Sequence, residues 1–174
     1  MDAHNLGDRP YPRYTERPFP SYRYLPGRSP HPRNSPQGHA YGQADPRPVR
    51  LPPERWYEAQ DYLYAIDLYN HGYWWESHEV FEGLWHAAGH HTVEGQFYRA
   101  LIQLCAASVK AAVGQPAPAH RLLARGLHRL ERFPEQFMGL DVEELVQTIR
   151  ERLSNQDRLP ASLCLYLPNP RTRY

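Results

Sequence analysis

The stretch Leu104-Cys105-Ala106-Ala107-Ser108-Val109-Lys110-Ala111-Ala112 decides the fold class. Alanine is the strongest helix former, and a run this rich in small side chains lets neighbouring helices approach closely. It reads as the middle of a central helix. That helix spans about Thr92, placed as its N-cap, to Val113, and Gly114-Gln115-Pro116 stops it.

Four more helical segments flank it. The first follows Pro52-Pro53 at Glu54 and repeats Trp56, Tyr57, Leu63, Tyr64, Ile66, Leu68 and Tyr69 on a broad apolar face, ending at Asn70-His71-Gly72. The second runs from about Tyr73 to Ala88 and closes at Gly89. The fourth, about Ala117 to Arg132, carries Leu122, Leu123, Leu127 and Leu130. The fifth begins at Asp141, an N-cap supported by Glu143 and Glu144 against the helix dipole, and reaches about Leu153. Connections of about two to eight residues favour antiparallel neighbours, and no stretch alternates as a half-buried strand does. The expectation is an all-α chain, a small irregular bundle of about five helices over residues 54–157.

The ends read differently. Twelve of the 18 prolines lie at or before Pro53, interleaved with Tyr, Arg, Ser, Gly and His. The first fifty residues hold eight arginines, four acids and no lysine, a net charge of about +4 in a chain of net +1. A proline-rich segment without Ile or Val runs cannot build a core that offsets its ordering entropy. Residues 1–53 are therefore expected to form a disordered or extended, polyproline-like arm, and residues 158–174 an irregular tail. No run approaches the ~20 apolar residues of a bilayer span, and Met1-Asp2-Ala3-His4-Asn5 does not open a secretory signal, so a cytoplasmic location is expected. Cys105 reads as a small buried side chain, and a bridge to Cys164 is not expected there. Glycine-rich phosphate loops, serine nucleophile elbows and paired-cysteine zinc spacings are all missing, which argues against several large enzyme classes.

One segment can carry chemistry: Tyr73-Trp74-Trp75-Glu76-Ser77-His78-Glu79-Val80-Phe81-Glu82-Gly83-Leu84-Trp85-His86. On a helical wheel His78, Glu82 and His86 form a stripe at i, i+4 and i+8 beside Glu79, while Tyr73, Val80, Phe81, Leu84 and Ala87 take the opposite arc. Imidazole and carboxylate groups one turn apart can hold one cation, so His78, Glu82 and His86 are the candidate metal ligands and a divalent metal the candidate cofactor. On spacing alone, a solvated or partly buried polar face with ordinary salt links is the stronger reading. Trp74, Trp75 and Trp85 flank the carboxylates, and an aromatic wall raises a carboxyl by desolvation. From the third helix, Arg99 and Gln103, four apart, are expected to complete a network with Glu79 or Glu82.

The pattern Asn70-x-Gly72-x-x-x-Glu76-x-His78-Glu79-x-x-Glu82-x-x-Trp85, with Ala100-Leu101-Ile102-Gln103 and Gly139-Leu140-Asp141, resembles the all-helical family "domain of unknown function 309" over about residues 58–153. The resemblance implies an irregular helical bundle and singles out Glu76, His78, Glu79, Glu82, Trp85 and Gln103, without a reaction. The chain departs from the family after Ser108, where Val109-Lys110 supplies no second-helix histidine, and in its arm.

Three functional readings stay open. One is a helical binding or interaction module whose pocket comprises Glu76, His78, Glu79, Glu82, Trp85, Arg99 and Gln103. Another is a metal-dependent hydrolase with Glu79 as general base. The third is an adaptor whose arm docks a protein assembly or, more weakly given its mild charge, a nucleic acid.

Overall fold

The structure, a computed structural model, describes residues 11–44 and 48–155. The chain is helical, as its periodicity implies. A 3-10 segment over Pro53–Glu58 leads to α1 (Gln60–Asn70), α2 (Trp74–Ala88), α3 (Val93–Ala112), α4 (Pro116–Leu130) and α5 (Val142–Asn155). The expected first helix is thus broken in two. At Ala59 the backbone leaves the helical region (φ −77°, ψ 86°), with its N–H satisfied by Trp56 O, which frees Trp56 to turn inward.

α3 is the central helix, packed against α2 on one side and α4 on the other. On the α4 side a glycine permits this: a Cβ built on Gly126 would stand 2.9 Å from a Leu104 methyl and 3.5 Å from Ala100 O. Tyr62, Ile66, Phe81, Phe97, Leu101 and Leu104 are fully buried between the layers. The two buried serines bond to helix carbonyls, one across to α1 and one within α3. Ser77 Oγ donates to Ala65 O at 2.8 Å, and Ser108 Oγ to Leu104 O at 2.9 Å. Cys105 is free and enclosed, and burial pushes its thiol up to about 12. Cys164 and the expected tail lie outside the described residues.

The α2–α3 turn is equally tight. Thr92 caps α3 by accepting from Gly95 N at 3.0 Å and donates back to Gly89 O at 2.9 Å. A Cβ on Gly95 would lie 2.1 Å from that same carbonyl oxygen. Between α4 and α5 the sequence gives no strand signal, yet Gln136–Phe137 pairs antiparallel with Leu140–Asp141. Met138 and Gly139 both take positive φ, 47° and 79°, as a two-residue hairpin turn of this hand requires. Asp141 then caps α5 as expected, its Oδ1 accepting from Glu144 N at 2.8 Å.

The arm takes the extended form of the two expected. Its described residues are extended and irregular, and they lie against the helices. Tyr14 and Thr15 donate their backbone N–H groups to the two oxygens of Asp67, at 2.8 and 2.9 Å, the Thr15 hydroxyl adds a third bond at 2.7 Å, and Arg13 closes the ring at 3.2 Å. Asp67 is completely buried in the middle of α1. The Tyr64 hydroxyl donates to Pro18 O, Phe19 stacks on Tyr73, and Arg13, Arg17 and Arg23 sit over Phe19, Tyr64 and Tyr73. An extended chain needs no core of its own when its N–H groups find buried acceptors on a neighbour. No helix among the described residues is long and apolar enough to cross a membrane.

Candidate functional site

α2 starts where Gly72, at φ +83°, reverses the chain, and Tyr73 N returns to Leu68 O at 2.8 Å. Val80, Phe81 and Leu84 then point into the core. The other face presents Glu76, Glu79 and Glu82 at intervals of three, with His78 beside them.

His78, Glu79 and Glu82 come together. Nδ1 of His78 lies 3.6 Å from Glu79 Oε1 and 3.9 Å from Glu82 Oε2, and one ligand atom from each of the three falls within 4.8 Å of the others. Neither separation is short enough for a hydrogen bond. Nδ1 is closed off from solvent and has no hydrogen-bond partner, although all three side chains are only half-buried. One imidazole nitrogen and two carboxylate oxygens on one helix face, each pair separated by the span of a metal's coordination sphere, form a donor set suited to zinc, manganese or iron(II).

Glu76 has another role. It is 5 % exposed, and its Oε1 accepts from Tyr24 N at 2.9 Å and lies 3.0 Å from Nε2 of His39. Burial raises its carboxyl above the usual range, while the bonds from His39 and Tyr24 partly restore the ionised form. Arg33 approaches Glu79 Oε2 at 3.7 Å. These contacts come from an arm loop that is closed on itself. Nδ1 of His31 accepts from Arg33 N and Asn34 N, Tyr22 OH donates to Pro30 O, and Gly38 passes so near Pro32 that a Cβ would lie 2.1 Å from its oxygen. Tyr24 and His31 both meet the Trp75 ring edge-on.

The remaining expected residues lie elsewhere. His86 pairs with His90, Nδ1 to Nε2 at 3.0 Å, and eight residues carry it roughly 12 Å along the axis from His78, too far for one ion. Trp85 stacks on His90 at 4.0 Å, with the Arg99 guanidinium 5.8 Å from its ring centre. Gln103 faces α4 rather than α2 and accepts from Arg129 Nε at 3.1 Å, so it completes no network with the acids. Sequence reasoning missed Arg33, His39, Tyr24 and Asp67. The signal available was charge: a basic arm precedes two helices bearing Asp61, Asp67, Glu76, Glu79 and Glu82.

Residues 62–122 match the family described as "Domain of unknown function (DUF309)", a shorter span than the 58–153 over which the motifs resemble it. No curated protein is matched by the chain.

Proposed function

Starting from a chain whose residues 62–122 carry the DUF309 match, we propose that it is a ligand-binding helical module and that the ligand is a divalent cation held by His78, Glu79 and Glu82. The observation that carries this reading is the enclosed, unbonded Nδ1 of His78 between two carboxylate oxygens. A buried imidazole nitrogen without a partner costs free energy, and a cation ligated by it and by both carboxylates would offset that cost.

Binding is favoured over hydrolysis. Three protein ligands would leave positions for water, as catalytic sites do, but a hydrolase also needs a base beside that water. Glu79, the candidate base, is itself within the ligand set and is approached by Arg33, while Glu76 is committed to the arm.

The test is metal content and thermal shift of the full chain prepared without an affinity tag. Zinc, manganese or iron(II) at 100 times its dissociation constant should stabilise the protein by about 2.7 kcal/mol, and His78→Ala or Glu82→Gln should abolish the shift. Less than about a tenth of an equivalent of metal, together with no shift from any of the three ions, overturns the proposal.

A further inference from the structure

α4 contains no aspartate or glutamate and no Phe, Tyr or Trp, yet it carries three arginines and two histidines. Arg121, Arg125 and Arg129 recur every fourth residue, and Arg132 follows just past its end. At about 100° per residue these four guanidiniums fall within one third of the helix circumference and extend for about 16 Å along it. A groove of about 440 Å³ opens on this face, lined by Ala124, Arg125, His128, Arg129 and Arg132.

Among the described residues no acid forms an ion pair with any of these four guanidiniums. Arg129 is held by two neutral amides, donating to Gln103 Oε1 and Gln96 Oε1 at 3.1 Å each, and Arg132 reaches only His128 Nε2. Glu131, the nearest acid in sequence, bonds Arg150 at 2.7 Å through Oε1, and its Oε2 lies 4.0 Å from His128 Nδ1 rather than against a guanidinium of the row. Partial burial and the proximity of Arg99 and Arg132 lower the proton affinity of Arg129, the mark of cations gathered without a counter-charge. The arm and the segment that follows it show the opposite: Arg13, Arg17, Arg33 and Arg50 all meet acids of the bundle, at Asp67, Asp61, Glu79 and Glu94. Among the described residues, α4 is thus where several guanidiniums line one helix face with no acid bonded to them.

We infer that the α4 face, with Arg99 of α3 beside it, is a docking surface for the phosphate backbone of duplex nucleic acid. A row of guanidiniums spaced by single helical turns meets a row of phosphates, whereas one small anion would engage only one or two of them. The lack of Phe, Tyr and Trp on α4 removes the large stacking platforms by which single strands are held, and leaves mainly contacts that are independent of base sequence. A lipid surface fits less well, because interfacial helices insert an apolar face and here Leu123, Leu127 and Leu130 are packed into the core.

The test is fluorescence anisotropy of the full chain with a labelled 20-base-pair duplex of arbitrary sequence. Three to four phosphate contacts predict a slope of log K against log[salt] of about −3 to −4, so that affinity falls roughly 100-fold between 50 and 200 mM salt. Arg125→Ala/Arg132→Ala, both exposed, should weaken binding at least tenfold at 50 mM salt and make the slope shallower by about two. Arg28→Ala/Arg55→Ala, which removes the same charge elsewhere, should leave both nearly unchanged, and melting curves confirm that each variant is folded. The inference is overturned if the duplex does not bind at 50 mM salt, if the two double variants behave alike, or if phosphatidylserine vesicles bind and the duplex does not.

Discussion

Glu76 shows what a single buried carboxyl does to the protein's response to pH. Its folded value lies above 4.5, chiefly because of burial, so the folded state holds the proton more tightly than the unfolded chain does. The stability this contributes is fully present below about 4.5 and is lost as pH rises through the folded value. Glu76→Gln keeps an acceptor for Tyr24 N and removes the charge, so its melting temperature should draw level with, or pass, that of the unaltered protein as pH rises from 4.5 to 7. Parallel curves for the two proteins across that range would show that Glu76 titrates as an ordinary surface acid. At this scale the site was partly legible. The spacing that put His78 and Glu82 one turn apart put them together in space, with Glu79 beside them. The same spacing misplaced His86, because a shared face does not bring residues eight apart within reach of one ion. Its place on α3 also put Gln103 with the wrong partners, since the direction it faces depends on which side of α3 receives α4.

Helices are the elements most readily read from this chain, because their apolar period and their caps are local properties. Thr92 and Asp141 cap as their positions imply, and the small-residue stretch of α3 is the centre of the bundle. The short hairpin escaped notice because its two-residue strands are too brief to alternate, and only Gly139 hinted at a turn. Tight contacts between elements were likewise invisible. Gly95 looks like a weak point in a helix, where alanine should gain about 1 kcal/mol. Its Cβ would instead collide with Gly89 O, and the neighbour is backbone that cannot rotate away. Gly95→Ala should therefore destabilise the chain by about 1–3 kcal/mol in urea unfolding, and a gain in stability would contradict the observed approach of α3 to the α2–α3 turn.

For the whole molecule, the question is whether arm and bundle form one cooperative unit. α1 is apolar on nearly every side and has Asp67 at its centre, a composition that makes sense only once the arm covers its outer face. The arm itself carries no periodicity from which this could be read, since much of its grip is backbone N–H on side-chain oxygen. Removing residues 1–44 should lower stability by at least about 3 kcal/mol, because Asp67 and Glu76 lose their donors, and should reduce the urea m-value, because less surface is then buried. An unchanged midpoint and m-value would mean that the arm rests on the bundle without contributing to its stability. The lengths of these connections also impose an order of events. Tyr14, Thr15 and Tyr24 find their acceptors 52 or 53 positions downstream. During synthesis the arm leaves the ribosome before Asp67 and Glu76 have been made, and it has nothing to hold until α1 and α2 have emerged and coiled. The arm, made before the helices it will clasp, thus reaches its final place after them.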